Sequence, residues 1–330
     1  MDKKKFNKWN WIVALAVLVI SSATYLSTIE PTASFWDCGE FIASSYKLEV
    51  GHPPGNPVFQ LFARVFSIPF DASHAAVAIN AMNALLSALT IFFLYLTIVF
   101  FAKRLLVKDE SGVTVGQAVA IFGAGAVGAL AYCFSDTFWF SAVEGEVYAM
   151  SSLVTALVFW AMCRWYETAD EPHANRWIVV IAFLMGLSIG VHLLNLLTIP
   201  AFVFMYYYRM NEGRKLSFGK LVGIFAIGVV IEFLLVYLFI PYLPKLAAFF
   251  DRIFVNGFGL PYNSGAVFFM VVLLGLCFWV LFSTLRSGKV FWNTVTLCVT
   301  TLVIGFSLFS IVIIRSSVKT PTNEYQPDNP

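Results

Sequence analysis

The sequence predicts an all-α fold, a polytopic membrane helix bundle of about nine transmembrane helices with a long outer first loop carrying short amphipathic helices. Three observations predict it. Hydrophobic residues make up 59% of the 330 residues and charged residues 12%, against roughly 45–50% and about 25% in a soluble domain. Apolar runs recur at close to 20 residues, the length that crosses a hydrocarbon core. Lys and Arg then flank those runs unevenly, the signature of a chain with a fixed inside and outside.

The runs, in order, are about 11–29, 77–101, 116–134, 147–163, 177–191, 193–208, 220–240, 265–285 and 292–314. Only His192 and Asn195 interrupt the fifth and sixth. The first run follows Lys3, Lys4, Lys5 and Lys8 and is longer than a signal-peptide core, with Ser21-Ser22-Ala23 a weak cleavage site, so it is expected to be an uncleaved anchor. With the N-terminus in the cytoplasm, 15 basic residues fall on inner segments (Lys3, Lys4, Lys5, Lys8, Lys103, Arg104, Lys108, Arg164, Arg176, Arg209, Arg214, Lys215, Lys220, Arg286, Lys289) and 6 on outer ones (Lys47, Arg64, Lys245, Arg252, Arg315, Lys319). Loop 30–76, the 135–146 turn, the His192 corner and the tail therefore face outward. Residues 1–314 read as the transmembrane module and 315–330, polar and Pro-rich, as a linker to a further soluble region.

A net charge of +2 and the lack of a basic patch or a Gly-rich phosphate loop exclude a nucleic-acid partner. The five cysteines show no metal-ligand spacing, and only Cys38 has a polar setting. Gly123, Gly125, Gly128 and Ala129 in the third run are expected to serve close helix packing.

Residues 34–57 gather Asp37, Glu40, Glu49 and His52 beside the first apolar run. Carboxylates next to a bilayer cost desolvation energy unless they are used or paired, so chemistry is expected there. Asp37 and Glu40 are three apart and would share a helix face. Two readings stand open for Asp37: a catalytic acid, or a partner in a capping box with Ser34 as N-cap. Gly51-His52-Pro53-Pro54-Gly55-Asn56-Pro57 reads as a rigid turn, with His52 either holding the loop or touching a ligand. Arg64, in an apolar stretch, is a candidate phosphate contact or a side chain reaching to the interface. Asp136, Glu144, Glu146 and Tyr148 mark the outer start of the fourth run, where acids also suit a helix dipole. His192 and Asn195 are an i, i+3 pair at an outer corner, and Glu232 lies mid-span.

The runs Phe35-Trp36-Asp37-Cys38-Gly39-Glu40-Phe41 and Gly51-His52-Pro53-Pro54-Gly55-Asn56-Pro57 resemble a multi-spanning family long catalogued as a domain of unknown function. Its vertebrate member is a protein O-mannosyltransferase of the endoplasmic reticulum. Glu144-Gly145-Glu146-Val147-Tyr148, Gly190-Val191-His192 and the tract Asn323–Asn329 look like its later motifs, so the likeness runs along nearly the whole chain. The family is similar to GT-C glycosyltransferases, which take a sugar from a polyprenyl-phosphate carrier with an acid in the first outer loop. Carried to this sequence, that acid is Asp37 or Glu40, with His52, Asn56, Arg64, Glu146, Tyr148 and His192 as substrate-binding candidates. The resemblance implies inverting transfer of a sugar, mannose favoured, from the lipid carrier to Ser or Thr hydroxyls of acceptor proteins on the non-cytoplasmic side. A bacterial inner membrane with a periplasmic active face is the expected setting. No cofactor beyond the lipid-linked donor is required, although Asp37, Glu40 and Glu146 could share a divalent metal if they converge. A transporter or flippase, or a membrane scaffold, are the competing readings; the clustering of acids at one face rather than through the spans counts against the first of these.

Overall fold

The computed structural model describes residues 1–107, 112–318 and 320–326. Lys108, Lys319 and the end of the Asn323–Asn329 tract lie outside the described residues. The described residues form helices joined by turns and loops, with one isolated parallel bridge between Val50 and Asn323. Seven helical stretches among them are long and apolar enough to cross a membrane. They form two compact units: 1–164 with 184–195 and 305–330, and 165–183 with 196–304.

In the first unit, α1 (Lys3–Leu26) starts where Asp2 accepts the Lys5 N–H. Two short loop helices follow, α2 (Cys38–Lys47) and α3 (Pro57–Ser67), and then the long α4 (Ala75–Leu106). A stripe on α4, Ala84, Ala88, Ile91, Tyr95 and Val99, is buried at helical spacing and belongs to a core shared with α1 and with α5 (Val115–Cys133). Tyr25 Oη donates to the Cys133 carbonyl at 2.9 Å, so the one polar atom of a buried ring is satisfied. A Cβ on Gly125 would lie 2.7 Å from Val99 and 2.8 Å from Tyr95, and Ala129 is fully buried. These are close-packing positions as expected, whereas Gly123 faces open space and packs against nothing.

After α6 (Asp136–Ala142) comes α7 (Val147–Thr168). The fifth and sixth runs are the short α8 (Arg176–Ile189) and α9 (Ile199–Met210), separated by a 3₁₀ stretch at Leu193–Thr198. At 14 and 12 residues, and 1.5 Å per residue, each falls short of a full crossing. The physical reason is the break itself: Gly190 is pinned against α3, and Pro200 opens α9 where its missing N–H costs nothing.

In the second unit α9 packs on α10 (Phe218–Leu234); a Cβ on Gly228 would come 2.5 Å from the Pro200 backbone. The seventh run does not end near residue 240. A π-helical turn at Leu235–Phe239 carries the helix into α11 (Ile240–Phe258), making 41 residues in all. Pro241 follows directly on the π-helical turn and Pro244 lies inside α11, and the helix runs on through both. Glu232 is half-buried in α10. Gly259, at φ 68°, closes α11, and α12 (Ser264–Arg286) returns against it. The last run divides into α13 (Val290–Ser307) and α14 (Ser310–Ser316), the latter back in the first unit.

Candidate active site

The site lies in the first unit, where loop residues are folded down onto the start of α4. Phe41, Ile42, Val58, Phe59, Ile79 and Met82 form a buried cluster under the loop, each worth roughly 1.5–3 kcal/mol of apolar burial. Two asparagines one turn apart on α4 fasten the backbone above it. Asn80 Nδ2 donates to the Glu30 and Thr32 carbonyls at 2.6 and 3.0 Å. Asn83 Nδ2 donates to the Glu144 and Glu146 carbonyls, both at 2.6 Å. Neither asparagine was singled out by the sequence; the signal available was a pair of amides three residues apart at the outer end of an apolar helix.

Asp37 occupies the N-cap position of α2, yet its side chain makes no capping hydrogen bond. The capping-box reading fails for a second reason: Ser34 is not on the helix and instead donates its hydroxyl to the Glu144 carboxylate. Asp37 therefore presents an exposed carboxylate with no hydrogen-bond partner among the described residues. Trp36 before it adopts φ 64°, a left-handed conformation unusual for an aromatic residue, and its ring and that of Phe35 are 88% and 85% exposed. Cys38, buried at the start of α2, is a free thiol.

Glu40, in the first turn of α2, is not free. Its Oε1 accepts the His52 backbone N–H at 2.7 Å, and His52 Nδ1 lies 2.9 Å from Oε2 and 3.1 Å from Oε1. The Glu40 carboxylate fills the space a side chain on Gly51 would need, with a Cβ there only 2.3 Å from Oε1. The hydrogen bond to Glu40, with the negative charges of Glu40, Asp37 and Glu324, raises the His52 pKa above its ordinary value against an opposing effect of burial. Gly55, at φ 89°, donates back to the His52 carbonyl at 2.8 Å and closes the turn against Val312.

These elements surround a cavity of about 260 Å³ lined by Asp37, His52, Asn56, Glu146, Tyr148 and His192, together with Phe41, Pro53, Pro54, Val147, Ile189 and Leu193. Glu146 is 6% exposed, with Oε2 accepting the Val147 N–H at 3.2 Å. Burial, with the nearby charges of Asp37 and Glu144, lifts its pKa to about 7. Burial raises Glu144 as well, the Ser34 hydroxyl opposing it. His192 Nδ1 accepts the Leu194 N–H at 3.2 Å, its ring lies 5.5 Å from that of Tyr148, and burial lowers its pKa.

Of the sequence-selected residues, Asp37, His52, Asn56, Glu146, Tyr148 and His192 thus meet around one cavity, with Glu40 behind His52. Arg64 does not line it; its guanidinium lies over the Tyr46 ring, 4.9 Å from the centroid. Glu49 is buried in a separate crevice with Gln60, Val312 and Arg315, and Asp136 lines another surface hollow beside Trp139. Ligand atoms of Asp37, Glu40 and His52 all fall within 4.8 Å of one another, a set that could hold a metal ion. Glu146, named in the expected metal set, is not among them.

The family model described as the protein O-mannosyl-transferase TMEM260 N-terminal domain matches residues 37–215, just over half of the chain. The chain belongs to this family. The match opens on Asp37 and takes in every residue lining the cavity, while the Asn323–Asn329 tract lies beyond it. Among curated proteins, the Dictyostelium discoideum "Protein O-mannosyl-transferase tmem260" is 26% identical over 213 residues, covering 61% of this chain and 24% of that protein. The Mus musculus "Protein O-mannosyl-transferase TMEM260" is 25% identical over 208 residues, covering 63% and 27%. The chain spans about a quarter of the length of these curated relatives. No solved structure matches.

Proposed function

We propose that this chain is a membrane glycosyltransferase that moves a sugar, mannose by analogy with its relatives, from a polyprenyl-phosphate carrier to Ser or Thr hydroxyls of proteins. The observation that carries the reading is the uncapped Asp37 carboxylate at a cavity that also holds the buried Glu146. A hydroxyl is a weak nucleophile, and a positioned carboxylate that accepts its proton as the C–O bond forms supplies the missing basicity. Asp37 is the base in this reading. Attack on the anomeric carbon opposite the phosphate, with one base and no covalent intermediate, inverts the configuration. The basic-residue balance supports loop 30–76 lying outside, so in this reading the reaction runs on the non-cytoplasmic side, with a bacterial periplasm the favoured setting. Helices of the first unit with exposed apolar faces, such as Val119 and Val127 on α5, suit a donor whose isoprenyl tail stays in lipid.

The test uses the purified chain with polyprenyl-phosphate mannose and a Ser/Thr peptide. Asp37→Asn is expected to lower transfer by about 10²–10⁴ without changing the thermal midpoint. Full activity in that variant removes Asp37 from the base role; transport of the donor across vesicles without transfer favours a flippase instead.

A further inference from the structure

One wall of the cavity, His52, Pro53, Pro54 and Asn56, comes from a single turn, and two partners distant in sequence hold that turn. Glu40 of α2 is one, through the His52 N–H. The other is the segment from α14 to residue 326, which belongs to the same compact unit. Val50, 2% exposed, donates its N–H to the Thr322 carbonyl at 3.2 Å and accepts the Glu324 N–H at 3.0 Å. Just ahead of it, Arg315 Nε donates to the Leu48 carbonyl at 2.5 Å. Past the prolines, a Cβ on Gly55 would lie 3.1 Å from Val312 and 3.8 Å from Tyr325, so the turn rests on α14 and on the tail. One side chain folds the tail itself. Asn323 Nδ2 donates to the Ser316 hydroxyl at 2.9 Å and to the Ser316 carbonyl at 3.3 Å, while Oδ1 accepts the Gln326 N–H at 3.2 Å. Among the described residues, none of 320–326 belongs to the apolar cluster under the loop. What the tail supplies is hydrogen bonds and register, not core.

We propose that Asn323 is a positioning residue of the active site: by pinning segment 320–326 to the end of α14 it sets a strap against Val50, and the strap fixes where His52 and Asn56 stand in the cavity. This rests on the transferase reading above. Only Gly51 separates Val50 from His52, and Pro53 and Pro54 have fixed φ, so a shift at Val50 is passed along the turn instead of being absorbed. Gly51 has no room to rearrange toward α2, because the Glu40 carboxylate fills that side. A slip of the bridge by one residue would move the backbone by about 3.3 Å, and a misplacement of about 1 Å in a site can cost a hundredfold in rate. Asp37 sits on α2, which the strap does not touch through any of these bonds, so the base stays while the wall facing it moves. The signature is therefore weaker substrate engagement as well as slower turnover. The match to the O-mannosyl-transferase N-terminal model ends at residue 215, so this support reaches the site from outside the matched region.

The experiment measures kcat and KM for polyprenyl-phosphate mannose with the full chain in nanodiscs, beside the thermal midpoint and amide exchange at Val50 and His52. Asn323→Ala is expected to lower kcat/KM about tenfold to a hundredfold, with a raised donor KM, faster exchange at both amides and an unshifted midpoint. Asn323→Asp keeps the acceptor for the Gln326 N–H and is expected to restore part of the loss. Glu324→Pro removes the N–H that Val50 accepts, without touching the Asn323 side chain, and is expected to reproduce the Asn323→Ala phenotype. Glu324→Ala retains that N–H and should fall well short of the proline's effect. Wild-type kcat and KM in folded Asn323→Ala and Glu324→Pro overturn the proposal. A lowered midpoint with an unchanged donor KM overturns it as well, because the strap then serves the fold alone. No transfer by the wild-type chain defeats the transferase reading itself and this inference with it, an outcome distinct from the other two.

Discussion

Glu40 accepts two hydrogen bonds from His52, one from the backbone N–H at 2.7 Å and one from ring Nδ1 at 2.9 Å. Twelve residues separate them in the chain, and the intervening α2 turns back through Leu48, at φ 51°, to let them meet. The pair couples the helix that displays Asp37 to the Pro-Pro-Gly turn at the other wall of the cavity.

Gly51→Ala tests that coupling. A Cβ at position 51 would stand 2.3 Å from Glu40 Oε1, the far end of a flexible side chain. The carboxylate can swing away, so stability is expected to change by less than about 1 kcal/mol while the Glu40–His52 bonds are lost. Transfer activity should fall at least tenfold with an unchanged melting curve. Wild-type activity in this variant would show that the pair is dispensable.

Glu146 makes stability depend on pH. Its folded pKa of about 7 lies above the ordinary 4.5, so the fold prefers the protonated acid. That preference is fully present below about pH 4.5 and turns into a penalty as pH rises through 7, bounded at about 3 kcal/mol. Glu146→Gln is therefore expected to melt like wild type at pH 4.5 and higher than wild type at pH 8. Equal midpoints at both pH values would contradict the burial of its charge.

Asn83→Ala removes one amide that serves two carbonyls, Glu144 and Glu146. The Glu144 carbonyl keeps the Glu146 N–H at 2.9 Å, but the Glu146 carbonyl loses its Asn83 donor in a buried setting at a cost of about 1–3 kcal/mol, and the turn carrying Glu146 should loosen. Amide exchange at residues 144–147 would accelerate relative to wild type; unaltered protection there would show that the turn holds itself.

Gly228→Ala probes the second unit alone. The added methyl would meet the Pro200 backbone at 2.5 Å, which no side-chain rotation relieves. A loss of about 1–3 kcal/mol is expected from such overpacking, read as a midpoint several degrees lower in detergent. A neutral result would mean that α9 and α10 slide apart without cost.

Much of the architecture was legible because membrane spans are written in composition. Twenty apolar residues need no partner to be recognised, and α1, α4, α5, α7 and α12 fall on the runs read from the sequence. The failures share a cause. The seventh run, read as about 220–240, continues to Phe258, because a π turn at Leu235–Phe239 carries the helix on. Gly123 looked like a packing position and faces outward, because a single sequence gives no helix rotation relative to its neighbours. Apart from these, Thr322 and Glu324 of the tail hydrogen-bond to Val50, a pairing between chain segments more than 270 residues apart that no local pattern records.

By itself the sequence determined that this chain is a helical membrane bundle and that ionisable side chains gather in residues 34–57 and recur at 146 and 192, since charges within the apolar runs cost desolvation energy. Only the tertiary structure decided how the acids divide their roles. Asp37 and Glu40 are equivalent as letters three residues apart. They differ because Glu40 is consumed by two N–H groups of His52 and Asp37 caps nothing, while Glu146 is buried on a turn whose carbonyl the Asn83 amide holds. Those distinctions are set by hydrogen-bond partners and burial, which exist only once the chain has folded.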